Sequence, residues 1–438
     1  MQILRYLPTL LAFLCLFSGC KTYKIQKSLD KQLVKNQKLK HNFSGLALYD
    51  ATNEKMIYKH NAERYFIPAS NTKIYTFYTA LNTLGDSVPG IEYIIQNDTL
   101  TFWATGAPDF LNIYFEKERD QVLEFLKSRK EVLVFAERPY EDPASGYGWA
   151  WDDYNDYYSA ERSAFPIYGN VVHFEKDSGS ALLQVIPSLM ADSLTLGEPR
   201  KYPYVQRKQF ANQFEYYFQD SDAYNNEVPM ILDTKLTLEL LKDTLQKEIY
   251  QTQFDSSFLM HPVKSVFSIH TDTLLQRMMQ PSDNFLAEQT IILSSHLQLG
   301  RLTTSDMIQY TLDSLLADLP DRPRWVDGSG LSRYNLFSPR TTVHVFHKLY
   351  HQIEEDRLFN MLAVGGKSGT LKNWYGADEP YVFGKTGTLS NNHSVSGYLK
   401  TKSGKTLIFS FMHNNYMVYS SAIKREMEKI FIYLRDNY

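Results

Sequence analysis

A serine followed three residues later by a lysine is a pair that can carry nucleophilic catalysis, and Ser70 and Lys73 form such a pair. On a helix this spacing places both side chains on one face, so the lysine amine can accept the hydroxyl proton. Pro68 precedes the pair and an apolar helix follows, which makes the Ser70 amide a natural half of an oxyanion hole. The same spacing occurs elsewhere, at Ser18–Lys21, Ser28–Lys31 and Ser421–Lys424. Taken alone, the pair more often marks a capping serine beside a surface lysine.

Two further motifs offer side chains suited to acyl transfer. Ser282-Asp283-Asn284 precedes an apolar helix and brings a hydroxyl and a carboxamide to one cleft, where the first can relay a proton and the second can orient an amine or amide. Lys385-Thr386-Gly387 ends a strand and presents a cation and a hydroxyl to a substrate carboxylate, while its glycine allows another backbone to approach. Ser390-Asn391-Asn392 repeats the serine and asparagine spacing of the Ser282 motif, whereas Lys-Thr-Gly occurs once in the chain.

The order S-x-x-K, S-D-N and K-T-G along one chain is typical of penicillin-binding proteins and class A β-lactamases. Three additional segments extend the likeness, Asp327–Asn335, Gly366–Leu371 and Gly384–Asn391. Through these segments the sequence resembles the low-molecular-mass class C penicillin-binding proteins, a family of serine D-alanyl-D-alanine carboxypeptidases and endopeptidases. The long interval between Lys73 and Ser282 is similar to the place where that family carries inserted domains.

The resemblance implies a reaction and a role for each motif residue. Its catalytic residues would be Ser70 as nucleophile, Lys73 as base, Ser282 as proton relay, Asn284 as the holder of Lys73, and Lys385 as the second cation. Its substrate-binding residues would be Thr386, Gly387, Thr388 and Arg333, with the amides of Ser70 and Thr388 as the oxyanion hole. Burial and the charge of Lys385 would lower the pKa of Lys73. Peptidoglycan stem peptides would be the substrates and β-lactams the inhibitors, with no cofactor.

The segment Gly148–Asp153 is similar to the W-x-W-D-D segment of the same family. The resemblance implies that Asp153 faces the free amino end of the stem-peptide diamino acid. The alternative is a surface turn beside core tryptophans.

Elements from both ends of the chain must position these motifs. Near the N-terminus, the sequence predicts a strand pair within residues 44–58, followed by an apolar helix. Near the C-terminus, it predicts three strands followed by an amphipathic helix, about 421–435. We therefore expect an α+β fold of the serine β-lactamase/transpeptidase type, with a five-stranded antiparallel sheet flanked by helices. The expected catalytic domain comprises residues 41–90 and 263–438, and residues 91–262 form one or two inserted accessory domains.

The first 20 residues have a cationic start, a short apolar run and small residues before Cys20, which is the layout of an export signal. Small residues directly before a cysteine also resemble a lipobox, so Cys20 is the predicted lipidation site, with plain secretion as the alternative. Residues 21–40 hold seven lysines and one acid and predict a basic tether near a membrane, or a solvated linker or surface helix. The expected location is the bacterial cell envelope, on the periplasmic side.

Composition removes some classes of function. The 438 residues carry 46 basic and 49 acidic side chains, so the chain has no net positive charge and nucleic-acid binding is disfavoured. Both cysteines lie within the first 20 residues, so the body has neither disulfides nor cysteine metal sites. Two functional alternatives to the carboxypeptidase remain, a serine β-lactamase and a non-catalytic peptidoglycan-binding envelope protein.

Overall fold

The computed structural model describes residues 22–36, 39, 41–115, 120–180, 182–218 and 223–438. The predicted signal, residues 1–20, and the predicted lipidation site, Cys20, lie outside the described residues. Across the ranges given above, no helix combines the length and the apolar character that crossing a bilayer requires.

Strands and helices are numbered here in chain order. The strands are Phe43–Asp50 (β1), Lys55–His60 (β2), Ser87–Gln96 (β3), Thr99–Ala104 (β4), Val132–Glu137 (β5), Val171–Lys176 (β6), Gln184–Ile186 (β7), Leu194–Leu196 (β8), Tyr204–Arg207 (β9), Phe214–Tyr217 (β10), Tyr224–Pro229 (β11), Ile249–Gln253 (β12), Lys264–His270 (β13), Ala363–Val364 (β14), Val382–Leu389 (β15), Asn392–Lys400 (β16) and Thr406–Asn414 (β17). The α-helices are 22–33 (α1), Lys73–Thr83 (α2), Gln121–Ser128 (α3), Thr234–Leu245 (α4), Thr271–Met279 (α5), Asn284–Leu299 (α6), Thr304–Tyr310 (α7), Pro339–Gln352 (α8), Glu355–Met361 (α9) and Ser420–Asn437 (α10).

The main sheet has the order β14-β15-β16-β17-β1-β2, and all of its neighbouring strands are antiparallel. Both ends of the chain contribute, because β17 pairs with β1 from Phe43–Asn414 to Asp50–Leu407. The expected α+β class with an antiparallel sheet is confirmed. The sequence predicted five strands, and the two-residue β14 adds a sixth at the edge, too short to leave a periodic pattern.

Helices cover both faces of the main sheet, since successive residues of a strand point to opposite faces. On β17, Phe409 and Phe411 pack with the apolar face of α10, whereas Ile408 lies in the core formed by α2, α5, α6 and α8. This two-sided burial explains why every residue of β17 is buried.

Residues 22–33, predicted to belong to a basic tether, instead form a helix that packs against the main sheet. Ile25, Leu29 and Leu33 recur every fourth residue, are at most 4% exposed and lie in the same core as α10. The Tyr58 hydroxyl donates a 2.8 Å hydrogen bond to Asp30. The lysines among residues 22–33 fall on the opposite, exposed face. The stretch is therefore part of the folded body, which corrects the tether prediction for these residues.

The region between α2 and α5 forms further sheets around a core of its own. It contains a five-stranded sheet of order β12-β5-β4-β3-β13 and two three-stranded sheets, β11-β6-β7 and β8-β10-β9. The strands through which the chain enters and leaves, β3 and β13, are antiparallel neighbours. The expected insertion covered residues 91–262, but these two paired strands extend beyond both limits. We therefore propose that the inserted unit runs from Ser87 to His270.

Candidate active site

Ser70 lies in a 3-10 turn, Ala69–Thr72, that leads directly into α2. Lys73 is the first residue of α2, and its Nζ donates a hydrogen bond of 3.0 Å to Ser70 Oγ. Ala69 has a φ of +48°, which is unfavourable for a residue with a Cβ. The surrounding contacts hold this turn, since Ser394 Oγ donates to the carbonyl of Pro68 at 2.8 Å. The serine thus projects from a fixed turn, with the lysine at the predicted spacing beside it.

The amine of Lys73 is fully buried and has two further acceptors, Asn284 Oδ1 at 2.6 Å and the Ser329 carbonyl at 2.8 Å. Burial lowers the pKa of Lys73 to about 8. Three buried or half-buried carboxylates act against this shift of the pKa, Asp283, Asp327 and Glu288. A lysine with this pKa is partly neutral near pH 7, and its neutral form can take the proton of Ser70.

Lys385 supplies a second buried amine. Its Nζ donates hydrogen bonds to Ser282 Oγ at 2.7 Å and to the Thr386 carbonyl at 2.9 Å. Burial, with the positive charge of Lys73, holds the pKa of Lys385 well below its ordinary value. Ser282 itself has a φ of +72°, and this turn places its hydroxyl against the amine just before Asp283 caps α6. The S-D-N and K-T-G motifs therefore meet at one hydrogen bond.

Gly387 is the point at which β15 passes closest to the nucleophile. A Cβ at this position would collide with the Pro68 carbonyl and would lie 2.8 Å from the Ser70 nitrogen. Asn71 Nδ2 adds a 3.1 Å hydrogen bond to the Lys385 carbonyl across the same contact. The sequence predicted that another backbone approaches this glycine, and the approaching backbone is the nucleophile's own turn.

A cleft of about 650 Å³ opens above these residues. Its lining includes the predicted residues Ser70, Ser282, Asn284, Arg333, Thr386, Thr388 and Asp153. Lys73 and Lys385 lie behind this surface, since both are fully buried. One cleft thus brings together predicted residues that are up to 318 positions apart in the sequence, counted from Ser70 to Thr388.

Asp153 reaches the cleft from the 3-10 helix Trp151–Asn155. The Tyr158 hydroxyl donates to its Oδ1 at 3.1 Å, and burial raises the pKa of Asp153. Arg333 also lines the cleft, and its backbone nitrogen donates to the Gly148 carbonyl at 3.2 Å. The surface-turn alternative placed the tryptophans in the core, but Trp151 is 76% exposed, and Asp153 lines the cleft. The predicted roles of both residues stay predictions.

The sequence profile of the D-Ala-D-Ala carboxypeptidase 3 (S13) family matches residues 25–216 and 232–436, a range that includes every cleft residue described above. The chain belongs to the S13 family. The resemblance to class C penicillin-binding proteins is confirmed by this match, and the S13 assignment makes the protein a serine-type D-Ala-D-Ala carboxypeptidase.

Individual relatives of this S13 chain agree with the family match. The D-alanyl-D-alanine carboxypeptidase DacB of Haemophilus influenzae is 22% identical to it, over 85% of this chain and 85% of the relative. The crystal structure of penicillin binding protein 4 (DacB) from Haemophilus influenzae covers 94% of this chain and 99% of its own, with a TM-score of 0.71 at 18% identity. A structure of that protein complexed with a β-lactam covers the same shares, with a TM-score of 0.67 at 16% identity. At these identities the structures show a shared fold.

Asp327 is a residue of this S13 site to which the sequence assigned no role. It is fully buried and accepts hydrogen bonds from the side chains of Trp149 (2.9 Å) and Asn335 (2.7 Å) and from two backbone amides of its own loop. The loop that it organises contains Ser329, whose carbonyl accepts from Lys73. A single acid within the glycine-containing segment Asp327–Asn335 was the available signal for this loop-organising role.

Glu288 is a second buried acid of this site to which the sequence assigned no role. Its Oε1 accepts from the Ser329 nitrogen at 2.7 Å, and its Oε2 lies 3.5 Å from the guanidinium of Arg162, which the inserted unit supplies. Burial raises the pKa of Glu288 to about 7. The i,i+4 spacing from Asn284 was the signal that it shares a helix face with the site. Over the described ranges, no group of three or more His, Cys, Asp or Glu side chains could hold a metal ion.

Proposed function

We propose that this S13 enzyme hydrolyses the terminal D-Ala-D-Ala bond of peptidoglycan stem peptides through an acyl-enzyme on Ser70. The observation that carries the proposal is the 3.0 Å hydrogen bond between Lys73 Nζ and Ser70 Oγ, in a site where the amine is fully buried. A lysine in water is almost fully protonated near pH 7 and cannot serve as a base, and burial reduces that obstacle by lowering the pKa.

In the acylation step, Ser70 Oγ attacks the carbonyl carbon of the penultimate D-alanine while neutral Lys73 takes the hydroxyl proton. The tetrahedral intermediate collapses with cleavage of the C–N bond, and a proton passes through the Ser282 hydroxyl to the leaving nitrogen. Lys385 supports this transfer because its 2.7 Å hydrogen bond holds the Ser282 oxygen in place. The products are an ester on Ser70 and free D-alanine. Water then hydrolyses the ester, with Lys73 again acting as the base.

Substrate binding uses the remaining cleft residues. Thr386 and Arg333 hold the terminal carboxylate, and the amides of Ser70 and Thr388 stabilise the developing oxyanion. The stem peptide pairs with β15 as an added strand, a mode in which the main chain supplies affinity. Asp153 binds the free amino end of the diamino acid.

Two rival functions use the same cleft. A serine β-lactamase shares the acylation chemistry and differs in fast hydrolysis of the acyl-enzyme. A non-catalytic peptidoglycan-binding protein shares the recognition surface and lacks turnover. The hydrogen-bonded arrangement of two buried amines with two serines favours a working enzyme over the second rival.

The deciding experiment is intact-protein mass spectrometry after incubation of the purified protein and its Ser70→Ala variant with benzylpenicillin. A lasting penicilloyl adduct on the wild type alone supports the proposal, and penicillins are then its inhibitors. Drug loss without a lasting adduct indicates a β-lactamase. If no adduct forms and the drug is not consumed, the cleft is non-catalytic.

We further propose a location in the bacterial cell envelope, on the periplasmic side, with a lipid anchor on Cys20. The export-signal pattern before Cys20 and the peptidoglycan substrate support this placement. The test is the mass of the mature protein from membranes and that of a Cys20→Ala variant. A diacylglyceryl mass increment on the wild type alone supports the anchor, and an unmodified wild-type N-terminus contradicts it.

A further inference from the structure

A row of four polar side chains crosses the main sheet from β15 to β1. Thr388 on β15 is paired with His393 on β16. His393 is in turn paired with His413 on β17, and His413 is paired with Ser44 on β1. Residues directly opposite each other on paired strands share a face of the sheet, so the four side chains are neighbours in this order. One end of the row, Thr388, lines the catalytic cleft.

Two hydrogen bonds of the same kind lie within this row. One joins Thr388 Oγ1 and His393 Nδ1 at 2.8 Å. The other joins Ser44 Oγ and His413 Nδ1 at 2.7 Å. A neutral imidazole can serve as donor or acceptor at Nδ1, and either role fixes the hydroxyl in the same place. Neither histidine has a part in the reaction proposed above.

Both imidazoles are buried and uncharged. His393 is 1% exposed and His413 is 0% exposed. Burial lowers the pKa of each ring to about 3, and the positive charges of Lys424 on α10 and of His413 act on His393 in the same direction. His60 acts likewise on His413. The Nε2 atom of each ring has no hydrogen-bond partner within the described part of the chain. An unpaired buried nitrogen is costly, so packing alone does not account for either ring.

Thr388 lies where β15 has little lateral support. It is the last residue but one of the strand. β14 pairs with Phe383 and Gly384, so among the described strands β16 alone borders Thr388. The cleft side of β15 is thereby open to substrate, and the backbone at Thr388 must be held from the other side. The hydrogen bond to His393 supplies a side-chain anchor at this point.

We propose that His393 is a positioning residue for the oxyanion hole, because its hydrogen bond to the Thr388 side chain fixes the backbone amide of Thr388. This inference rests on the proposed function, in which that amide is one of two oxyanion donors. The value of such a donor depends on its being aimed in advance at the oxygen on which charge develops. An interaction made only in the transition state changes the rate of acylation and leaves substrate binding unchanged.

The test measures acylation of the full chain by benzylpenicillin over a range of drug concentrations, which gives a dissociation constant and a limiting rate. His393→Phe removes the hydrogen bond and should lower the limiting rate about tenfold at an unchanged dissociation constant. Loss of a whole oxyanion donor costs roughly 100-fold or more, and a loosened donor keeps part of that effect. His393→Asn, whose carboxamide can bond the Thr388 hydroxyl, should recover most of the rate. The deficit of His393→Phe should be constant from about pH 6 to about pH 9, because the ring it replaces is uncharged there.

The matched control is His413→Phe. His413 is equally buried, has the same unpaired Nε2 and bonds a hydroxyl in the same way, but its partner Ser44 does not line the cleft. Its limiting rate should equal that of the wild type.

Thr388→Val breaks the bond from the other partner, at an exposed position, and keeps the test decisive if His393→Phe does not fold. Its limiting rate should fall by the same factor as that of His393→Phe. The double variant should be no slower than either single variant, since all three lose one and the same bond.

Several results would overturn the role of His393 while the proposed function stands. They are an unchanged limiting rate in His393→Phe or in Thr388→Val, an equal fall in His413→Phe, a change confined to the dissociation constant, and effects that multiply in the double variant. Failure of the proposed function looks different. The wild type then forms no penicilloyl adduct and hydrolyses no peptide ending in D-Ala-D-Ala, and that result overturns both proposals.

Discussion

Replacing Asp283 by asparagine tests the electrostatics of the proposed base. Asp283 caps α6 by accepting a 2.9 Å hydrogen bond from the Leu286 nitrogen, and it is the foremost of the carboxylates that raise the pKa of Lys73. Asparagine is an equally good cap, so the change removes the charge and keeps the helix start. We expect the pKa of Lys73 to fall, and acylation to become possible at lower pH.

The size of the effect follows from the neutral fraction of Lys73. With a pKa of about 8, roughly one molecule in eleven has a neutral lysine at about pH 7. Loss of a neighbouring opposite charge moves a pKa by about one unit, which would give a pKa of about 7 and make about half of the molecules neutral. Acylation at about pH 7 should therefore be about fivefold faster in the variant, and both proteins should reach the same rate above about pH 9.

The assay is the second-order rate constant of acylation by benzylpenicillin, followed by intact mass from about pH 5.5 to about pH 9.5. Asp233→Asn is the matched control, because Asp233 caps α4 in the inserted unit by accepting from the Leu236 nitrogen at 2.7 Å. Its profile should match the wild type. A profile of Asp283→Asn that coincides with the wild type, or that moves to higher pH, refutes the reasoning, provided that the melting temperature is unchanged.

Two further changes test the close packing of the fold. Gly387→Ala should reduce the rate of acylation by about 100-fold or more, because the added Cβ would collide with the backbone of the nucleophile's turn. The control is Gly85→Ala, since a Cβ at Gly85 meets no atom within 4 Å. Equal acylation rates for the two variants would contradict the prediction. Leu29→Ala should lower the free energy of unfolding by about 2–5 kcal/mol in urea denaturation, since Leu29 is 0% exposed. The control is Val34→Ala, at a site 55% exposed, which should change the free energy of unfolding by less than about 0.5 kcal/mol. A similar loss of stability in the two variants would mean that α1 does not pack against the main sheet.

The elements of the catalytic domain were predictable because their signals are local. Strands β15 to β17 follow from alternating or continuous apolar residues separated by turn residues, and α10 follows from its apolar stripe. The last of the three strands predicted near the end of the chain is Thr406–Asn414, and the helix predicted at about 421–435 is Ser420–Asn437. The docking of α1 was harder to predict. Its apolar stripe is visible in the sequence, but its many lysines are equally typical of a solvated linker.

The sequence by itself determined the chemistry of this protein. It set Lys73 three residues after Ser70, and the order of the three motifs indicated acyl transfer, because i,i+3 spacing and short motifs are local properties.

Only the tertiary structure decided how that chemistry is tuned. The site depends on contacts between residues that are far apart in the chain. Lys73 contacts Asn284 and Ser329, Arg162 lies close to Glu288, and a second cavity opens beside Ser282. Such contacts depend on how helices and sheets pack around shared cores, and packing is not encoded in any single stretch of sequence. The pKa of a buried amine depends on that same packing, since desolvation and neighbouring charges set it.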